Sequence, residues 1–198
     1  LQDMVEGDFS EEPPWNNGLD EGRAHIIEEA GERFLRIRYP TGGVGSRDSG
    51  AQFKVRLRER RQALYIAYQI RFAEGFGFVR GGKLPGLCGG ACNTGGNIPD
   101  GTDGWSARMM WRTNGRAVQY MYYPEQIGRF GDDFDWIDGD AIQFSPGQWH
   151  RVQTYIVMNT PGLADGQLRS WFDGTLALER DNLSFRERDD FAIDTLYF

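Results

Sequence analysis

Two nearby runs hold side chains suited to acid–base work and to gripping an anion. "GGKLPGL" carries Lys83, and "WSARMMWRTNGRAVQYMYY" carries Ser106, Arg108, Tyr120 and Tyr122. Tyrosines beside an arginine suit carbohydrate, because rings stack on sugar faces and a guanidinium pairs with a carboxylate through two N–H donors. A tyrosine hydroxyl has a pKa of ~10 and releases its proton more readily beside a cation. Lysine, unlike arginine, gives up its proton within a working pH range. Lys83 stands out because 20 of the 22 cationic residues are arginine, leaving only Lys54 and Lys83 as lysines. Its surroundings, residues 75–97, are glycine-rich and predict a loop whose backbone approaches a polymer closely. A solvated loop lysine and an ordinary solvent-facing sheet surface would use the same residue types.

Whether the four groups of the second run meet depends on the strands that carry them. Its first half alternates Trp105, Ala107, Met109 and Trp111 with Ser106, Arg108, Met110 and Arg112. Its second half alternates Val118, Tyr120 and Tyr122 with Ala117, Gln119 and Met121. A two-residue Asn114-Gly115 turn would set Arg108 opposite Met121. A three-residue Thr113-Asn114-Gly115 loop, with Gly115 in the left-handed region, sets Arg108 opposite Tyr120 and Ser106 opposite Tyr122. The second register gathers the polar set on one face and the apolar set on the other. A one-residue slip would mix them, so the three-residue loop is predicted.

The remaining chain repeats the period of two. "AQFKVRL" turns Phe53, Val55 and Leu57 one way and Gln52, Lys54 and Arg56 the other. "LYIAYQIRF", "WHRVQTYIVM", "LRSWFDGTLALER" and "FAIDTLYF" read as further strands, separated by turn signals such as "PTGG", "SPG", "TPG" and "FDG". "EGRAHIIEEAGERF" also favours strands. The pattern predicts an all-β sandwich of two antiparallel sheets. At 198 residues it is read as one domain over 1–198, large enough for a substantial core. A net charge of −7 disfavours nucleic acid and anionic membranes, and no apolar run approaches the ~20 residues of a membrane span. The chain opens at Leu1 without methionine or signal peptide, which is read as a processed or trimmed product. Cys88 and Cys92, four apart, are expected to form a small disulfide, and His25 and His150 lie too far off in sequence to complete a zinc site. A disulfide would indicate an exported protein, secreted or periplasmic.

With "GGKLPGL", "WSARMMWR" and "YMYY" in this order, the chain resembles polysaccharide lyase family 14 and the related glucuronan lyases. "LRIRYPTGGVGSRDSGAQFKV" and "GQWHRVQTYIVMNTPGLADGQLRSWFDG" extend the resemblance, which runs from about Phe9 onward. The resemblance implies a concanavalin-like jelly roll that cuts polyuronates by β-elimination, with Lys83, Ser106, Arg108, Tyr120 and Tyr122 as the catalytic set. Cys88 departs from the residue that follows "LPGL" in some relatives. In β-elimination the C5 proton of a uronate is acidic only once its carboxylate is neutralised. Arg108 is the residue assigned to that task, assisted by Gln52. Tyr122 is the first choice for proton transfer, with Tyr120 orienting it or sharing the proton, and Ser106 hydrogen-bonding a tyrosine or the sugar. Lys83 is either the base or a cation acting on a tyrosine. Lys54, Arg56 and Arg112 are expected to bind the polymer.

The expected substrate is alginate, mannuronate-rich by preference, with glucuronan as the fallback. No cofactor is expected, and the chain is expected to act as a monomer. Two other classes compete. Asp133, Asp135 and Asp138 in "GDDFDWIDGD" have the spacing of the carboxylates in jelly-roll glycoside hydrolases, though all three are aspartates. The same run, from Asp132 to Asp140, reads first as a solvated acidic loop, with a structural calcium ion as the alternative. A non-catalytic carbohydrate-binding module would keep the aromatics and arginine without needing Lys83. His150 is an acid–base candidate by type, but it is expected to pack or hydrogen-bond beside Trp149.

Overall fold

A computed structural model describes residue 9 and residues 15–137 and 142–198 of the chain. Thirteen strands are found among the described residues, all paired antiparallel. Seven form one sheet, in the order β1 (Trp15–Asn17), β4 (Gln52–Arg61), β13 (Ile193–Tyr197), β6 (Gly81–Gly90), β7 (Gly104–Arg112), β8 (Ala117–Tyr122) and β9 (Asp132–Phe134). Four form the second, in the order β12 (Thr175–Leu183), β11 (Gly166–Phe172), β10 (Trp149–Val157) and β5 (Ala63–Arg71). A separate hairpin joins β2 (Ala24–Glu29) to β3 (Glu32–Ile37). One helical turn, Gly45–Asp48, interrupts the β pattern, and the sequence reading contained no helix there.

The alternation read from sequence puts one face of each sheet inward. Phe53 and Val55 of β4 are buried, as are Val152 and Ile156 of β10 and Leu168 and Phe172 of β11. Two apolar clusters fill the space between the sheets. One joins Leu87, Trp105, Ala107 and Met121 to Ile156, Leu168 and Leu178. The other joins Met109, Trp111 and Ala117 to Val152, Phe172 and Ala177. Each such large side chain contributes roughly 1.5–3 kcal/mol when fully buried. The Asp173-Gly174 turn joins β11 to β12 with both residues at positive φ, the twist a two-residue hairpin favours.

The glycine-rich segment is the main departure from expectation. It forms no loop at Lys83: residues 81–90 are β6, a central strand of the seven-stranded sheet. Glycine and proline are ordinarily depleted in strands, and here close neighbours exclude a side chain at the glycines. A Cβ at Gly86 would lie 2.0 Å from the Ala107 carbonyl oxygen, and one at Gly82 would lie 2.1 Å from the Trp111 ring.

Candidate active site

The outer face of the seven-stranded sheet collects the polar residues into rows that run across the strands. One row runs Lys54, Tyr197, Gly86, Arg108, Tyr120 and Asp133, each residue paired with the next. A second runs Arg56, Thr195, Cys88, Ser106 and Tyr122. The β7–β8 hairpin closes through Thr113–Gly115, with Gly115 at φ 81° and Asn114 also left-handed at 61°. Arg108 therefore faces Tyr120, and Ser106 faces Tyr122.

Lys83 reaches this face through a bulge. Gly86 pairs with Arg108 and Lys83 pairs with Met110, so β6 takes three steps where β7 takes two. In an unbroken strand Lys83 and Gly86 would point to opposite faces. The extra residue, in the Leu84-Pro85 step, returns Lys83 to the face of Arg108. Proline is tolerated at a bulge because no ladder N–H is needed there. Its carbonyl accepts from the Tyr68 hydroxyl at 3.1 Å, and Leu84 enters the core.

Lys83 Nζ then stands 5.3 Å from the Tyr120 ring centroid. The Arg112 guanidinium lies over the same ring, also at 5.3 Å. Although the Lys83 side chain keeps solvent access, partial loss of hydration and the nearby Arg108 and Arg112 charges lower its pKa to about 8. Burial, followed by its contact with Tyr122, pushes the Tyr120 hydroxyl well above the ordinary tyrosine range. The pair thus combines an amine that readily stands neutral with a phenol that holds its proton.

The loop after β6 covers the neighbouring residues. Cys88 and Cys92 form a disulfide at its base. From there the Asn93 carbonyl accepts from Ser106 Oγ at 2.6 Å, Thr94 Oγ1 accepts from Arg108 Nη2 at 2.7 Å, and the Gly96 N–H donates to the Tyr122 hydroxyl at 3.1 Å. Arg108 is only 2% exposed and Tyr122 is 0% exposed. Three expectations meet this loop. Ser106 anchors it through the Asn93 carbonyl. Tyr122 lies beneath it, while Tyr120 stays beside Lys83. Arg108 is buried under it and bonded to Thr94, with no open face for a two-pronged grip on a carboxylate.

The other expected contacts divide. Lys54 and Arg56 head the two rows on the outer face. Lys54 titrates below its ordinary range, through burial first and then the Arg108 and Arg56 charges. Gln52 donates to the Tyr197 hydroxyl. Arg112 is committed to Asp133, with Nε at 2.9 Å from Oδ2 and Nη2 paired with Oδ1. Asp135 pairs with Arg116. Asp133 and Asp135 are thus engaged by arginines and do not form a carboxylate pair for hydrolysis. Asp138 and Asp140 lie outside the described residues, and among those described no three metal-ligating side chains cluster. His150 is structural: Nδ1 bonds Asp173 at 2.8 Å and Nε2 accepts the Ser145 N–H at 2.9 Å.

Sequence reasoning missed Tyr197 and Thr94. The Arg108 guanidinium carbon lies 4.0 Å from the Tyr197 ring centroid. "FAIDTLYF" signals the strand, but nothing local says that it inserts between β4 and β6.

The family model described as polysaccharide lyase 14 matches residues 27–198. No curated protein matches the chain significantly. Several solved structures are similar. The marine PL-14 alginate lyase from Aplysia kurodai is 25% identical, with 94% of this chain and 80% of that one covered and a TM-score of 0.78. A double mutant of alginate lyase Aly36B in complex with an alginate tetrasaccharide is 25% identical, with coverage of 92% and 75% and a TM-score of 0.80. Alginate lyase vAL-1 from Chlorella virus is 20% identical, with coverage of 92% and 80% and a TM-score of 0.78, a likeness of fold.

Proposed function

The chain belongs to the polysaccharide lyase 14 family, and from that premise we propose that it cleaves alginate by β-elimination, with Lys83 as base and Tyr120 as acid. It is a polysaccharide lyase of the polyuronate-cleaving kind. The observation that carries the finer reading is the bulge that brings Lys83 over Tyr120 beside the buried Arg108 charge. Similarity to alginate lyases, one of them with bound alginate, supports the substrate.

In the proposed reaction the positive charge of Arg108 and Lys54 offsets the uronate carboxylate, making the C5 proton removable. Neutral Lys83 takes that proton. The electron pair left at C5 forms the C4–C5 double bond as the C4–O4 bond breaks. Tyr120 donates its proton to the departing O4, and the ammonium now on Lys83 stabilises the phenolate. Proton return from Lys83 to Tyr120 through solvent restores both groups. Base and acid lie on one side of the sugar. In mannuronate, as in glucuronate, the C5 hydrogen and O4 share a side of the ring, whereas in guluronate they lie on opposite sides. The arrangement therefore favours mannuronate-rich blocks.

Incubation with polymannuronate, polyguluronate and glucuronan tests this reading. The expected result is ultraviolet absorbance from the unsaturated product, fastest with polymannuronate. Reducing ends without absorbance would identify hydrolysis instead. Export is part of the proposal, supported by the Cys88–Cys92 disulfide, which a reducing cytosol does not favour.

A further inference from the structure

The last strand contributes a side chain that takes no step in this reaction. Tyr197 is 1% exposed and meets two cations. The Arg108 guanidinium carbon is 4.0 Å from its ring centroid, and Lys54 Nζ is 4.7 Å from it. They approach from opposite sides of β13. Lys54 pairs with Tyr197 directly, while Arg108 is reached across Gly86, which has no side chain to intervene. The ring is fixed in turn: its hydroxyl meets Gln52, and the Cys88–Cys92 disulfide packs against it. Arg108 has a side-chain bond to Thr94 and a polar contact with the Tyr197 hydroxyl, and its buried Nε has no hydrogen-bond partner. An aromatic face against a desolvated guanidinium is thus a main restraint on where that charge sits.

We infer that Tyr197 is a positioning residue for the elimination: its ring holds Arg108 beneath the site and keeps Lys54 in a separate place, so two positive charges meet the polyuronate at fixed positions. This rests on the proposed polyuronate reaction, but it has consequences in the absence of substrate. Lys83 faces Arg108 and Arg112 on β7 and Tyr120 on β8. Lys54 faces Arg108, Arg56 and Asp194. If the ring is lost, Arg108 moves and its repulsion of both amines weakens. Lys83 then titrates nearer the ordinary lysine range, whereas Lys54 also loses the ring face that favours its charged form.

Only two lysines occur in the chain, so protein labelled with carbon-13 at lysine Cε gives two signals to titrate. Tyr197→Phe keeps the ring and loses only the hydroxyl's contact with Arg108, so it should move the Lys83 titration less than a ring-less variant does. Tyr197→Met and Tyr197→Leu fill most of the volume without a ring face and should move Lys83 upward. In the same folded variants kcat should fall on the order of tenfold or more, as for a displaced reacting group. The rising limb of the pH profile should move up with Lys83, and KM should change less than kcat. A folded Met or Leu variant with Lys83 unmoved would overturn the inference. So would unfolding of both ring-less variants while Tyr197→Phe folds, because the ring would then be a packing element. Absence of polyuronate turnover in the unaltered protein, with the titrations still shifting, would overturn the substrate reading and leave the hold on the cations standing.

Discussion

At the scale of single residues, the proposed reaction divides the proton work between Lys83 and Tyr120 because their surroundings push them in opposite directions. Lys83 is lowered to about 8 by lost hydration and by Arg108 and Arg112, so a usable fraction is neutral at mildly alkaline pH. The kcat/KM profile should rise as pH passes about 8 and level above it, since the neutral amine is the active form. Lys83→Ala should lose at least ~100-fold of turnover, the lower range for general-base catalysis. Lys83→Arg should do no better, because a guanidinium does not deprotonate. A folded Lys83→Arg retaining a tenth or more of the rate would assign Lys83 a role in charge alone. The same depression has a sign for stability. A lysine whose folded pKa lies below its unfolded value binds fewer protons when folded, so stability rises with pH between about 8 and the unfolded value of ~10.4. Lys83→Met should therefore raise the melting temperature at neutral pH, where the unfavourably placed charge is fully present. Tyr120→Phe should abolish most turnover. Tyr122→Phe should cost less, because its hydroxyl meets the Gly96 N–H beneath the loop.

Strands and loops decide whether those residues meet. The β7–β8 hairpin was legible: one register separates its polar and apolar sets, and a three-residue turn ending in glycine supplies it. β6 was not legible, because glycines and Pro85 read locally as loop. What makes them strand residues is a neighbouring backbone and a tryptophan ring that arrive from β7. Gly86→Ala should cost more than about 3 kcal/mol in a denaturant melt, as expected for overpacking against backbone, since its Cβ would sit 2.0 Å from the Ala107 oxygen. The disulfide loop was legible as a bridge but not as a cover, because Asn93, Thr94 and Gly96 carry no signal of the strands they lie on. Closing so short a loop stabilises by roughly 2 kcal/mol on chain-entropy grounds. Replacing both Cys88 and Cys92 by alanine should lower stability by about that amount. It should also slow turnover, as the bonds to Ser106, Arg108 and Tyr122 loosen.

Across the whole molecule, the net charge of −7 coexists with a cationic outer face bearing Lys54, Arg56, Lys83 and Arg108. A polyanion is attracted locally to a protein that repels it overall, so association should be sensitive to salt. Raising ionic strength from ~0.05 to ~0.5 M, which shortens the screening length well below 10 Å, should lower kcat/KM chiefly through KM. Sequence periodicity and turn signals indicated two antiparallel sheets, yet they did not carry the strand order. The insertion of the C-terminal β13 between β4 and β6 brings Tyr197 against Arg108, a contact set by pairing over more than a hundred residues. Lys83-dependent elimination is tested most directly by absorbance of the product formed from polymannuronate by the unaltered protein and by folded Lys83→Ala. A steady ultraviolet gain is expected from the first and almost none from the second. Equal gains from both would contradict it.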